Sequence, residues 1–478
     1  MNQHATTRGE TATMTDVVFT PPAGFKGRVI TARNEPYNYE LARTIFNKIH
    51  DGRPAAIVQV LDIEDAALVA GYAGTHGIPL AVRGGGHGQD AYAMPDGALV
   101  LDFSLMRRIE VDPRTRVITA EAGCRLGDLD AAAAAHGLAA VAGTVSGTGI
   151  AGLTLGGGIG WLMRQFGTTV DNVLAINAVT LDGRVVRATA TENPDLFWAM
   201  RGGGGNFAIA TSFEYRGHPV ARITGGSLVH GPEDAVAYLR HWRDVMLDAP
   251  RELASFVIYG RLPPFPYVPA EVVGAPGVIT MLCHSGDEQT AARDIRSLLG
   301  FGSPLGTNIA RRSYLDIQHE LDFADPGGRV HQLGGYLREF SDETIAALTE
   351  DVVDFPVPRA PGDAAATVVT RLGGAIDDFD EDSTAFSRRE GTFAWESMPV
   401  WSDPASDAEM IGWTESVRAA LAPWTADACY INFSTYQGAE WLENVYGAEK
   451  FARLREIKKV WDPQNLLRFN KNIPPAVD

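Results

Sequence analysis

Short apolar runs alternate with amphipathic stretches through the first part of the chain. Residues 34–49 carry Leu41, Ile45 and Ile49 at helix-compatible spacing, which predicts an amphipathic helix. The run Ala55-Ala56-Ile57-Val58-Gln59-Val60 reads as a strand, residues 62–76 as a helix closed by Gly77, and residues 80–82 as the next strand. Asp62 and Glu64 suit the positive end of that helix's dipole. The strand, helix, strand order delivers Arg83-Gly84-Gly85-Gly86-His87-Gly88 at the carboxyl end of a strand, where α/β folds place ligands.

The same reading predicts strands over residues 99–102 and 116–120, separated by the turn Asp112-Pro113-Arg114, and an alanine-rich helix over 126–135 stopped by Gly137. A hairpin follows, with strands over 177–181 and 184–189 turning at Asp182-Gly183. A short helix over 194–200 and a strand over 208–215 flank another glycine cluster, residues 201–207. From about Arg222 the character changes to alternating aromatic and apolar runs. Strands are predicted over 254–259, 278–283, 367–372 and 392–396, and helices over 232–247 and 288–299. This pattern describes an antiparallel sheet with helices against it, a second domain. Near Ala428 the chain is expected to return to the first unit through a strand over 429–433 and a helix over 447–460. The fold class is α+β, divided at residues 1–221, 222–427 and 428–478.

A chain of 478 residues exceeds the size at which single cores usually stop growing, which agrees with that division. The net charge of −18 argues against nonspecific binding to nucleic acid or to an anionic membrane, since both need a basic face. Cys124, Cys283 and Cys429 are too few and too scattered for a disulfide framework or a CxxC metal site, so buried free thiols and no metal are expected. Residues 1–16 are polar and lack the apolar core of a signal peptide, no run is long enough to span a membrane, and Met14 is an alternative start. A cytoplasmic enzyme, monomer or homodimer, acting on a small molecule is the simplest expectation.

The 51 glycines are clustered, and the clusters carry the chemistry. A strand ending in consecutive glycines exposes backbone N–H groups that a phosphate can approach closely. The densest cluster runs from Gly143 to Gly160, and within it Gly147, Gly149 and Gly152 match a dinucleotide fingerprint, with Asp171 near the distance of a ribose contact. That match reads as a decoy. The fingerprint needs a core strand before it and a helix opening directly after it, whereas Gly156-Gly157-Gly158 should weaken any such helix. Three glycine loops far apart in sequence suggest one long cofactor touched at several points.

Taken together, Arg83-Gly84-Gly85-Gly86-His87, the block from Gly152 to Gly160, Asp195-Leu196-Phe197-Trp198 through Gly205-Asn206-Phe207, and Trp461-Asp462-Pro463 with Asn470 to Pro475 resemble the berberine bridge enzyme-like flavoproteins, related to vanillyl alcohol oxidase. The resemblance implies a two-part FAD-binding domain of the PCMH type capped by a substrate domain. It implies that His87 attaches covalently to the flavin 8α-methyl. It further implies cofactor contacts from Arg83, Gly84, Gly85, Gly86 and Gly88, from Gly143, Thr144, Val145, Thr148, Gly149 and Leu153, and from Gly156, Gly157, Gly158 and Gly160. Gly205, Asn206, Ile209, Tyr430, Asn432, Asn470 and Asn472 complete that set. Many relatives carry a cysteine that makes a second flavin bond at the position of Val145. Valine has no nucleophile, so a single 8α-histidyl link at His87 is expected.

Relatives commonly carry Tyr-x-Asn-Tyr, whose last tyrosine is the base. Here the sequence reads Tyr430-Ile431-Asn432-Phe433, and Phe433 cannot take a proton. Tyr430, Asn432 and Tyr436 are therefore the candidate catalytic residues, with Arg371, Glu396, Trp395 and His331 as alternatives from the substrate sheet, where alternation turns half of each strand toward the cavity, and a reaction that needs no base at that position as a further alternative. Three functions stand open. The first is an FAD-linked oxidase that transfers hydride from a small organic substrate and uses O2 to give H2O2. The second is a flavin-dependent oxygenase of secondary metabolism, of the enterocin-pathway type, with Thr148, Gly149 and Leu153 where oxygen-handling residues would fall. The third is a catalytically idle flavin-binding protein.

Overall fold

A computed structural model describes residues 19–322, 328–350, 354–387, 389, 393–436 and 438–477. The polar stretch 1–16, with the alternative start at Met14, lies outside the described residues. The first sheet has the order β1-β2-β4-β3, formed by β1 (Arg28–Ile30), β2 (Ala56–Gln59), β3 (Leu80–Arg83) and β4 (Leu99–Asp102). The helices α1 (Pro36–Ala42) and α2 (Ile63–His76) accompany it. Both β2 and β3 lie parallel to β4, and α2 is the crossover that a parallel arrangement requires. The Asp62 side chain caps α2 by accepting the Asp65 N–H, and Gly77 ends it in the left-handed region at φ 63°. The helix expected over 34–49 stops at Ala42. Beyond it the backbone is claimed by tertiary partners: Phe46 N–H donates to the Gly86 carbonyl and Lys48 N–H to that of Gly328.

The second sheet is antiparallel in the order β5-β6-β10-β8-β9, with β7 added to β10. Its strands are β5 (Ile109–Asp112), β6 (Val117–Glu121), β7 (Ala139–Ala140), β8 (Val173–Val179), β9 (Val185–Ala188) and β10 (Ile209–His218). Between them come α3 (Leu126–Ala134), α4 (Ile150–Gly156), α5 (Met163–Phe166) and α6 (Pro194–Ala199). A helix does open directly after Gly149, contrary to the sequence expectation. The strand before it is only the two residues of β7, antiparallel to β10, so no parallel dinucleotide-binding unit is present at that point. Asp171 is occupied elsewhere: its carboxylate holds both Arg389 guanidinium nitrogens, at 2.9 and 2.6 Å.

The third sheet has eight strands, all paired antiparallel. Its centre is β11 (Arg222–His230), β12 (Leu253–Arg261) and β13 (Pro276–His284), with α7 (Ala235–Leu247) packed on one face. The helix expected over 288–299 is divided into α8 (Glu288–Asp294) and α9 (Arg296–Leu299). Then come β14 (Gly306–Thr307), β15 (Ala310–Ser313), α10 (Tyr314–Gln318), β16 (Arg329–Val330), β17 (Leu333–Leu337) and α11 (Asp342–Glu350). They are followed by β18 (Ala366–Arg371), β19 (Phe393–Ser397), β20 (Val400–Trp401) and α12 (Asp407–Leu421). The strand expected to begin at 392 starts, among the described residues, at Phe393.

Residues 429–433 are not a strand. Ile431–Phe433 forms a single 3-10 turn in which Phe433 N–H donates to the Tyr430 carbonyl at 2.9 Å. Two helices close the chain, α13 (Ala439–Tyr446) and α14 (Ala448–Trp461). Leu442, Val445, Phe451, Leu454 and Ile457 from this pair belong to the same buried cluster as Leu196, Phe207 and Phe213. The C-terminal helices therefore pack into the core of the N-terminal sheets.

Candidate active site

A cavity of about 420 Å³ runs between the glycine loops and the third sheet. One wall is backbone. Gly84 to Gly88, then Gly143, Thr144, Val145, Thr148, Gly149, Gly152, Leu153 and Gly156, then Gly205, Asn206 and Ile209 line it. Two of these loops meet so closely that a Cβ on Gly85 would lie 2.4 Å from the Gly149 Cα. At Gly88, Gly152 and Gly205 a Cβ would meet no protein atom within 4 Å. Their bare backbone faces space that the protein does not fill, as a cradle for a long ligand requires. The His87 ring lines the cavity and stacks on Phe46, centroids 4.2 Å apart and planes 11° from parallel.

The opposite wall is made of side chains. Glu396 and Met398 come from the end of β19, Gln332 from the residue before β17, and Tyr430, Asn432 and Phe433 from the turn near the C-terminus. The Gln332 amide donates to the Glu396 carboxylate. Burial pushes the Glu396 carboxyl up to about 7, against the downward pull of that hydrogen bond. Tyr430 is buried beside it. Its hydroxyl accepts the Gly158 N–H at 2.9 Å and the Asn432 Nδ2 at 2.8 Å. Burial pushes the phenol up to about 12, outweighing those two bonds, so Tyr430 stays neutral near pH 7. With both lone pairs engaged, its own O–H is a donor.

Several expected site residues lie off the cavity wall. Gly157 and Gly158 have φ of +134° and +75°, and a Cβ on them would strike the Phe386 ring at 2.3 Å and the Thr169 hydroxyl at 2.0 Å. They are glycines because of protein packing. Gly160 likewise abuts the Ala142 carbonyl. Arg83 spends its guanidinium on the carbonyls of Ala42 and Thr44, and Asn472 is also off the wall. Tyr436, a candidate base, points to Glu415: its hydroxyl donates to that carboxylate at 3.1 and 3.2 Å. Of the substrate-sheet alternatives only Glu396 reaches the cavity. Trp395, its neighbour on the strand, points to the other face and donates to the Thr425 hydroxyl. Arg371 donates to the Met246 carbonyl, and His331 lies 4.0 Å from Glu415.

Residues the sequence did not single out complete the site. Lys471 lines the cavity, donating to Asp90 and to the Ser434 carbonyl, both at 2.6 Å, and to the Tyr436 carbonyl at 2.9 Å. It is the one lysine or arginine on the wall among the described residues, and it is paired. Behind it, Lys458 and Asp462 form a fully buried ion pair at 2.6 Å. Lys458 also donates to the Asn206 and Leu467 carbonyls, and Asp462 accepts the N–H groups of Leu466 and Leu467. This bracket folds the segment 466–473 back against Asn206, which in turn bonds Ile473 N–H and the Lys471 carbonyl. The Trp461-Asp462-Pro463 motif signalled it. The reach of Lys458 to Asn206, 252 residues apart, left no sequence signal.

A glycine cradle facing a carboxyl across one cavity, on this three-sheet fold, matches the flavin-dependent oxidoreductases of the PCMH type. Residues 54–189 match the FAD-binding domain family and residues 429–474 the berberine and berberine-like family. The chain is 30% identical to (R)-6-hydroxynicotine oxidase of Paenarthrobacter nicotinovorans over 464 residues, 95% of this chain and 98% of that protein. It is 29% identical to the FAD-linked oxidoreductase YgaK of Bacillus subtilis over 94% of this chain and 97% of that protein. Among solved structures, 6-hydroxy-D-nicotine oxidase from Arthrobacter nicotinovorans superposes with a TM-score of 0.86 at 27% identity, covering 96% of this chain and 100% of the other. Glucooligosaccharide oxidase from Acremonium strictum, which carries a 6-S-cysteinyl, 8α-N1-histidyl FAD, shares the fold with a TM-score of 0.79 at 23% identity over 95% and 98%. The chain belongs to the berberine bridge enzyme-like family of FAD-linked oxidoreductases.

Proposed function

We propose that this chain is an FAD-linked oxidase with one covalent flavin link, at His87, that oxidises a small organic molecule in the cavity and uses O2 as its final acceptor. The observation that carries the reading is a half-buried carboxyl, Glu396, facing a bare-backbone cradle across the same cavity. The cradle fits FAD: Gly88, Gly152 and Gly205 leave room along it, and the His87 ring is fixed on its wall by Phe46. FAD, when bound, supplies a two-electron acceptor for the substrate hydride, and dioxygen takes those electrons in turn to give hydrogen peroxide. A second protein–flavin bond is not expected, because Val145 has no nucleophile. The Cys124 thiol is buried off the cavity wall, and burial pushes it up to about 12.

Glu396 is the base in this reading. As carbon loses hydride, the O–H or N–H proton on that carbon passes to the Glu396 carboxylate, which the Gln332 amide holds in place. Tyr430 supplies a fixed O–H donor and takes no proton. The cavity presents no unpaired lysine or arginine among the described residues, which favours neutral or cationic substrates over carboxylates.

The test is a denaturing gel and an oxygen balance. The intact chain should keep its yellow colour through acid denaturation, His87→Ala should lose it, and one peroxide should form per substrate oxidised. FAD released freely from the intact chain would overturn the covalent link. Labelled oxygen appearing in the product would move the reading to an oxygenase.

A further inference from the structure

Ser146 lies between cavity residues, next to Val145, yet is itself off the cavity wall. It is gripped from both sides. Its carbonyl accepts the Gly127 N–H of α3 at 2.9 Å. Its N–H and hydroxyl both donate to Asp322, at 3.0 and 2.7 Å, across 176 residues of sequence. Asp322 lies just past α10 and also holds the His319 ring at 2.6 Å. Burial pushes the Asp322 carboxyl up, but the bonds from His319 and Ser146 outweigh it and hold the group below the usual carboxylate range. It is therefore an ionised acceptor, and such bonds are the stronger kind.

A second contact fixes the same helix. Gln318 on α10 donates to the Asp130 carboxylate on α3 at 2.7 Å, and both side chains are buried. Val145 packs against a buried cluster that includes Trp161, Tyr314, Ile317 and Leu321. The substrate-side part of the chain thus holds the 143–149 segment from outside, at the residue beside the one lacking a covalent tether.

We propose that Asp322 is a positioning residue that fixes the 143–149 segment against the flavin, a noncovalent substitute for a second flavin bond at position 145. This rests on the reading that the segment touches FAD. Backbone groups restrained only by tertiary bonds exchange their hydrogens through local opening. Losing a bond to a charged acceptor should speed that opening about tenfold or more.

The experiment is hydrogen exchange of the Val145 to Thr148 amides in the holoprotein, read alongside the visible circular dichroism of the flavin. Asp322→Ala should raise exchange about tenfold and change the dichroism, and Asp322→Glu should recover part of both. Ser146→Ala added to Asp322→Ala should change exchange little further, since the two partners share one interaction. Unchanged exchange and unchanged dichroism in folded Asp322→Ala would overturn the proposal. If that variant does not fold, Asp322→Asn, which keeps the shape and one acceptor, gives the same reading with a smaller change. Failure of the underlying reading would show separately, as Val145 to Thr148 amides whose exchange is the same with and without FAD, and the Asp322 variants would still decide whether Asp322 holds the segment.

Discussion

The two walls of the cavity are built by opposite means. The cradle wall presents main chain: glycines from three loops, brought so close that Gly85 and Gly149 leave no room for a Cβ between them. The facing wall presents side chains, Glu396, Gln332, Tyr430 and Phe433, from elements with no common motif. A bare backbone suits what every member of a family shares, a cofactor. Side chains can be exchanged one at a time without disturbing the cradle, so they can carry the chemistry that differs between members.

That contrast can be broken most directly at Glu396. Glu396→Gln should keep the flavin and the fold while lowering kcat by about 10²–10⁴-fold, the usual share of a general base, measured by stopped-flow reduction with any accepted substrate. In the intact chain kcat/KM should rise with pH through about 7, because only the ionised carboxylate accepts a proton. Below that pH it should fall about tenfold per unit. If Glu396→Gln lost its flavin instead, the two walls would not be separable.

Lys458→Met tests the bracket behind the cradle. It leaves Asp462 buried without its partner, and a loss of about 3–5 kcal/mol is expected in denaturant unfolding. Gly85→Ala probes the cradle itself. Its new methyl would meet the Gly149 backbone, so the loops must part, with about 1–3 kcal/mol lost and the flavin content reduced. The smallest effect belongs to Tyr436→Phe. Its hydroxyl bonds Glu415 away from the cavity, so stability should change by about 1 kcal/mol at most and the pH profile should not move.

Legibility followed the same division. The glycine loops, the α2 crossover with its Gly77 stop, and the β8–β9 hairpin at Asp182-Gly183 were readable because turn chemistry and helix termination are local. The helix over 34–49 and the strand over 429–433 were not. In both, distant partners, the Gly86 carbonyl for Phe46 and the Gly158 N–H for Tyr430, claimed the backbone or the side chain. Within the long glycine block, sequence alone could not separate glycines facing the open cavity, such as Gly152, from those bare for a neighbouring side chain, such as Gly157 and Gly158.

The sequence by itself determined the cofactor class and the cradle, because a bare backbone at the end of a strand is written in consecutive glycines. Only the tertiary structure decided which side chain of that strand faces the cradle. Period-two alternation leaves Glu396 and Trp395 equal as candidates until the sheet's two faces are known, and it is the packing of α12 and Thr425 behind Trp395 that turns Glu396 into the cavity.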